Sequence, residues 1–232
     1  MSGANTEQEE CPVRILAGGV VLQGDLCLPS GVTALVVFAH GSGSSRLSPR
    51  NRYVSGVLRQ AGLGTLLFDL LTAKEEARDE VTGALRFDID LLARRLVAVT
   101  DWLKKEPRTI NLRLGYFGAS TGAAAALIAA AERPDDAGAV VSRGGRPDLA
   151  AEALPRVKAP TLLIVGELDY EVIELNLRAY SRLGAEKKMV IVPGATHLFE
   201  EPGALDQVAG LAAEWFTSHL QTRKPDKAKP HG

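Results

Sequence analysis

Gly118-Ala119-Ser120-Thr121-Gly122 lies between a mostly apolar run, residues 112–117, and an alanine-rich run, residues 123–131. The pattern reads as a strand, a very tight turn and a helix, with Ser120 at the apex. A turn this sharp forces its apex residue into a disfavoured backbone conformation and crowds the residues two positions away. Glycine at 118 and 122 removes the Cβ atoms that would clash there. A serine displayed in this way is a candidate nucleophile for acyl transfer. The helix behind it aims its positive end, and the Thr121 amide, at the atom under attack. The plainer alternative is a serine that caps a helix N-terminus.

A serine hydroxyl is a poor nucleophile near neutral pH. It needs a base within hydrogen-bond reach, and the base needs an orienting group. The chain has four histidines: His40, His197, His219 and His231. His197 follows the last strand, where a loop can lean over Ser120. His40 precedes a glycine-rich loop and is expected to shape it. His219 sits late in the last helix, and His231 in the tail. The acid is expected between serine and histidine in sequence. Gly166-Glu167-Leu168-Asp169 follows an apolar strand, so Asp169 is the first choice, with Glu167, Glu171 and Glu174 left open.

An ester carbonyl under attack also needs donors for its developing oxyanion. One is the Thr121 amide. The other is expected in Gly41-Ser42-Gly43, with the Ser42 amide as the first candidate. A dinucleotide loop does not fit there, because Arg46 stands where its third glycine belongs. Arg143 and Arg146 follow a strand end. They are candidates for binding a substrate carboxylate, and equally for tying down a loop.

These residues need a scaffold that brings them together. The runs at 34–39, 65–68, 112–117, 137–142, 161–165 and 188–192 read as strands, the first of them apolar throughout as a strand buried on both faces should be. Helical spacing is expected over about 50–61, 87–105, 123–131, 172–183 and 203–220. Alternating strands and helices predict an α/β fold: a mostly parallel, doubly wound sheet of about eight strands. Gly18-Gly19 between two apolar runs predicts an antiparallel hairpin at its N-terminal edge. Every candidate residue then falls at the carboxyl ends of strands, where such sheets place their sites. Residues 69–85 are long, charged and without a core face, and read as a functional loop. Residues 143–159 are too few for a cap domain. An open site suited to small or exposed esters follows. One domain is expected over residues 12–220, flanked by flexible residues 1–11 and 221–232.

Composition narrows the partners. The chain has 232 residues, 46% hydrophobic, with 27 Lys and Arg against 28 Asp and Glu. That balance provides no basic field for nucleic acid or an anionic membrane. Cys11 and Cys27 suggest neither a disulfide framework nor a zinc site. No apolar signal core or membrane-length run is present, so a cytoplasmic protein is expected. No metal or cofactor is called for, and monomer or homodimer stays open.

Four segments, FAHGSGSS, GYFGASTGAAAAL, VGELDYEVIELN and GATHLFEEPGAL, resemble the dienelactone hydrolase-like branch of the α/β-hydrolases. The likeness is to bacterial modules sometimes fused to phosphoribosyltransferases. It implies an eight-stranded α/β-hydrolase fold and a triad of Ser120, Asp169 and His197. It also implies oxyanion donors at Ser42 and Thr121, and prefers Asp169 to Glu167. Dienelactone hydrolases proper carry cysteine at the elbow, where this chain has Ser120. The implied activity is therefore a serine hydrolase of carboxylic esters, lactones among them, working through an acyl-serine. A thioesterase or amidase would use the same triad. A non-enzymatic binding module on this scaffold is the remaining alternative.

Overall fold

Gly18 and Gly19 both take positive φ and close a tight hairpin between β1 (Cys11–Ala17) and β2 (Val20–Cys27). This computed structural model describes residues 10–221. β2 pairs antiparallel with β4 (Gly64–Phe68), which pairs parallel with β3 (Ala34–Ala39). β5 (Arg113–Ala119), β6 (Ala137–Arg143), β7 (Thr161–Gly166) and β8 (Lys187–Val192) continue in parallel. The strand order is β1-β2-β4-β3-β5-β6-β7-β8. The eight-stranded, mostly parallel sheet with an antiparallel edge is the one the sequence pattern predicts.

Helices cover both faces. α1 (Pro49–Gln60) and α6 (Ala204–Leu220) pack together on one, where Val54, Leu58, Val208 and Phe216 share a buried cluster. α3 (Ile89–Leu103), α4 (Thr121–Glu132) and α5 (Tyr170–Arg182) cover the other. β5 shows why the sheet must be apolar on both sides. Tyr116 turns to the α3 side, where its hydroxyl meets the Thr100 hydroxyl at 2.8 Å. Phe117 turns the opposite way and stacks near Phe38, ring centroids 4.9 Å apart. Successive side chains of a strand alternate faces, so both rows are buried. β5 is thereby fixed on both sides, and its end carries Ser120.

Two sequence expectations are corrected. Residues 69–85 are not a loop, because α2 (Ala73–Thr82) occupies most of them. Its outer face is charged, so no apolar stripe announces it. The signal was a capping box: the Glu75 amide donates to the Thr72 hydroxyl at 3.2 Å, and the Thr72 amide to the Glu75 carboxylate at 2.8 Å. Gly83 ends the helix in the left-handed region. The first strand also begins earlier than expected, since Cys11 already belongs to β1. Glu10 before it is held by Arg52 and Arg59 at 2.6 and 2.7 Å. The rest of the two stretches read as flexible, residues 1–9 and 222–232, lies outside the described residues. Residues 143–159 hold two short 3₁₀ turns, Pro147–Ala150 and Leu154–Arg156.

Thr72→Ala removes half of the capping box and is expected to destabilise α2 by about 1 kcal/mol. Amide exchange within α2 then speeds up about fivefold. Unchanged exchange would mean that the cap does not hold this helix.

Candidate active site

β5 ends in a turn whose apex, Ser120, has φ 50° and ψ −121°. Such a conformation costs a non-glycine residue roughly 1–3 kcal/mol and persists only where its surroundings dictate it. Here they do. The Ser120 amide donates to the Arg143 carbonyl at 3.2 Å. Its carbonyl accepts from the amides of Ala123 at 3.1 Å and Arg146 at 3.0 Å. A Cβ on Gly118 would lie 2.4 Å from Ala123 Cα, and one on Gly122 2.2 Å from the Ala39 carbonyl oxygen. Glycine at both positions is therefore a packing requirement. The Ser120 side chain makes no capping bond to α4, so the helix-cap reading does not hold.

His197 reaches the same region through the loop after β8. That loop crosses directly over the end of β7: a Cβ on Gly166 would lie 2.3 Å from the Ala195 carbonyl oxygen. The Leu168 amide donates to the same oxygen at 2.9 Å and pins the crossing. His197 Nδ1 then lies 2.6 Å from Asp169 Oδ2. Asp169 precedes α5 but spends no side-chain bond on capping it, which leaves its carboxylate for the imidazole. Of the rival acids, Glu167 accepts from the Gly194 amide at 2.7 Å, while Glu171 and Glu174 are exposed. Asp169 alone of the four is paired with His197 among the described residues.

Ser120 and His197 line one cavity of about 220 Å³ together with Gly41, Ser42, Arg50 and Arg143. No direct hydrogen bond joins Ser120 to His197 among the described residues. Catalytic hydrogen bonds often tighten only when substrate is bound. Gly41 runs close against the nucleophile turn, since a Cβ there would sit 3.1 Å from Ser120 Cβ. The Ser42 amide donates to the Thr121 hydroxyl at 2.9 Å. The two segments expected to supply oxyanion donors are thus bonded to each other. Thr121 is the first residue of α4, a position whose N–H finds no acceptor within its own helix. Across residues 41–44, a second cavity of about 170 Å³ is floored by Leu70, Leu71 and Leu92 and edged by Glu76 and Arg86.

His40 does shape the loop. Its Nε2 accepts from the Leu70 amide at 3.0 Å, so Nδ1 carries the proton and donates to the Gly41 carbonyl at 2.9 Å. Burial holds its pKa below the ordinary histidine value. The two arginines after β6 separate clearly. Arg146 is bidentate with Asp148, at 2.9 and 2.8 Å. Arg143 is buried, lies 5.9 Å from the centroid of the Phe199 ring, and has no carboxylate partner among the described residues. Sequence reasoning missed Ser48, Arg50 and Asn51, which open α1 and line the Ser120 cavity. Ser48-Pro49 was the available signal, as an N-cap followed by proline marks where a helix begins.

The family model for the dienelactone hydrolase family matches residues 34–222. The chain belongs to this family. Its sheet and helices are those of the α/β-hydrolase fold. It is 58% identical over 208 residues to proteins of Mycobacterium tuberculosis strains CDC 1551 and H37Rv, each named "Putative phosphoribosyl transferase". That match covers 90% of this chain and 46% of those proteins, so the chain spans about half their length. A dienelactone hydrolase structure from Anabaena variabilis is 62% identical, with a TM-score of 0.91, covering 92% of this chain and 99% of the other. Est1E of Butyrivibrio proteoclasticus shares the fold at 17% identity and a TM-score of 0.77, covering 91% and 99%. No helix among the described residues is long and apolar enough to cross a membrane.

His40 makes stability depend on pH. Its folded pKa is depressed, so the unfolded imidazole takes up a proton first, near pH 6.5. The contribution is complete above that value and declines as pH falls below it, by up to about 1.4 kcal/mol per unit. Urea denaturation at about pH 7.5 and about pH 5.5 is expected to show a larger acid loss in the wild type than in His40→Gln. Equal losses would mean that His40 is not held neutral.

Proposed function

We propose that the protein is a serine hydrolase that cleaves small carboxylic esters, lactones among them, through an acyl-Ser120 intermediate. The observation that carries this reading is the 2.6 Å contact between His197 Nδ1 and Asp169, on the wall of the cavity that also holds Ser120. With Nδ1–H donated to the carboxylate, Nε2 is the free basic nitrogen. It takes the Ser120 proton as the hydroxyl oxygen attacks the ester carbonyl. Asp169 holds the ring and stabilises the imidazolium that forms. The imidazolium then protonates the departing alcohol. Water enters, gives its proton to His197 and attacks the acyl carbon. Ser120 regains a proton and the acid leaves.

The tetrahedral oxyanion is assigned to two backbone donors. The Thr121 amide is available at the head of α4, where the helix dipole adds to it. The Ser42 amide shares its proton between the Thr121 hydroxyl and the oxyanion. Each donor in such a hole is typically worth about 2.7–4 kcal/mol. Between β6 and β7 only two short 3₁₀ turns are present, too little backbone to enclose a long acyl chain. Small or exposed esters suit such a site. Every step runs on side chains, backbone amides and water.

The test is hydrolysis of p-nitrophenyl acetate, butyrate and palmitate by the wild type, Ser120→Ala and Asp169→Asn. Acetate and butyrate are expected to exceed palmitate. Ser120→Ala is expected to lose turnover by about six orders of magnitude, and Asp169→Asn by about four. Retained turnover in folded Ser120→Ala would refute the nucleophile, and best turnover on palmitate would refute the open site.

A further inference from the structure

The two edges of the sheet are built differently. β1, at one edge, carries Pro12 and Arg14, and Glu10 before it is tied to Arg52 and Arg59. Proline and charge are ordinary means of keeping an edge strand from pairing with another chain. β8, at the other edge, has neither in its middle. It runs Lys187-Lys188-Met189-Val190-Ile191-Val192, and Pro193 comes only after it. Ile191 is 38% exposed, and Met189 and Val190 are half-buried. An apolar edge of this kind is a template for a further strand.

β8 spends half of its backbone on β7. The Thr161 amide donates to the Glu186 carbonyl at 2.9 Å, and the Glu167 amide to the Val192 carbonyl at 3.0 Å. With Thr161 in register with Lys187, a parallel ladder turns residues 186, 188, 190 and 192 toward β7. The amides and carbonyls of Lys187, Met189 and Ile191 then point outward, where no ninth strand stands among the described residues. The Lys187 carbonyl accepts from the Tyr180 hydroxyl at 3.4 Å, which leaves Met189 and Ile191 as the open middle of the edge. The charges at the two ends of β8 are unmatched as well. Lys188 shares a cleft with Glu186 and Glu214 and is ion-paired with neither, nor with any other described residue. At the far end the exposed Glu167 accepts from the Gly194 amide at 2.7 Å and has no cationic partner among the described residues.

We infer that this edge binds a second copy of the chain, β8 against β8 and antiparallel, about a two-fold axis at Val190. Outward residues must meet outward residues, so Met189 exchanges hydrogen bonds with the partner's Ile191, and Ile191 with the partner's Met189. Val190 faces the partner's Val190 as a non-hydrogen-bonded apolar pair, Cα atoms about 4.5 Å apart. Lys188 faces the partner's Val192, and so arrives at the strand end that carries the partner's Glu167. Each copy thereby supplies the charge that the other lacks. Parallel pairing would set Lys188 beside the partner's Lys188, an arrangement that like charges disfavour. The two-fold also closes the assembly, because each edge is used once and no β8 edge is left over. Pro193 has no amide to donate and ends the ladder before the loop that carries His197.

The test is sedimentation equilibrium of the full chain over a dilution series, with two variants of Ile191 and a register check. The wild type is expected to reach twice the chain mass. Ile191→Pro removes an outward amide and leaves the β7 ladder whole, and is expected to raise the dimer Kd at least about tenfold, since two hydrogen bonds are lost per dimer. Ile191→Lys, at an exposed side chain, is expected to act in the same direction and serves should Ile191→Pro fail to fold. Under mild oxidation Val190→Cys is expected to give a disulfide-linked dimer above the level of the wild type, because the facing Cα atoms lie within disulfide reach. Lys188→Cys is expected to give none, its own copy being about 14 Å away along the strands. In the dimer the Met189 and Ile191 amides are expected to exchange more slowly than in Ile191→Lys, while the Val190 amide, bonded to β7 in both states, is unchanged. A wild type that stays monomeric at every concentration overturns the proposal, whether those two amides exchange fast or are protected by another part of the same chain. A dimer whose Kd neither Ile191 variant moves, or one that Lys188→Cys links and Val190→Cys does not, overturns it equally.

Discussion

Backbone meets backbone at van der Waals limits around Ser120, and the rest of the site follows from that contact. The turn at φ 50° is tolerable because Gly118 and Gly122 let α4 start hard against β5 and the end of β3. The strain is roughly 1–3 kcal/mol. Opposing it are three backbone hydrogen bonds to Ser120, one with Arg143 at the end of the neighbouring strand and one with Arg146 just beyond it. The sheet therefore dictates the turn. The same economy of side chains recurs at Gly166, where the His197 loop passes over β7. The ends of β5, β7 and β8 thereby present Ser120, Asp169 and His197, the three candidate side chains.

The polar groups around this junction are sorted by what surrounds them. His40 is buried with an acceptor on one nitrogen and a donor on the other, and serves as a neutral strut. His197 is half exposed and rests on a carboxylate, so its charged form has a partner. Arg146 is neutralised by Asp148, and Arg143 is left for the cavity. Residues 41–44 stand between two cavities, one with the nucleophile and one with the leucine floor beneath α2.

Much of this was readable in the chain because it depends on short-range rules. Gly-x-Ser-x-Gly between a strand and a helix fixes a turn, and the apolar runs fix the strands to within one or two residues. The pairing of Asp169 and not Glu167 with His197 was harder to read. Both carboxylates follow β7, and only the crossing of the 194–197 loop decides which one meets the imidazole. α2 was missed because its stability comes from caps and charge pairs, such as Arg95 with Glu75 at 2.7 Å, while periodicity reports only apolar faces. Arg143 and Arg146 look alike in sequence. Their difference arises from Asp148 on one side and from the approach of Phe199 and α1 on the other, and the second is a tertiary contact with no local signature.

The central claim is that this junction makes one serine hydroxyl reactive. A fluorophosphonate reacts with such a hydroxyl, loses fluoride and leaves a stable phosphonyl ester, which peptide mass spectrometry can assign to a residue. A single adduct on Ser120, with labelling suppressed when His197 is replaced by alanine, is the expected result. A folded protein that takes no label, or takes it at any other serine, would contradict the claim.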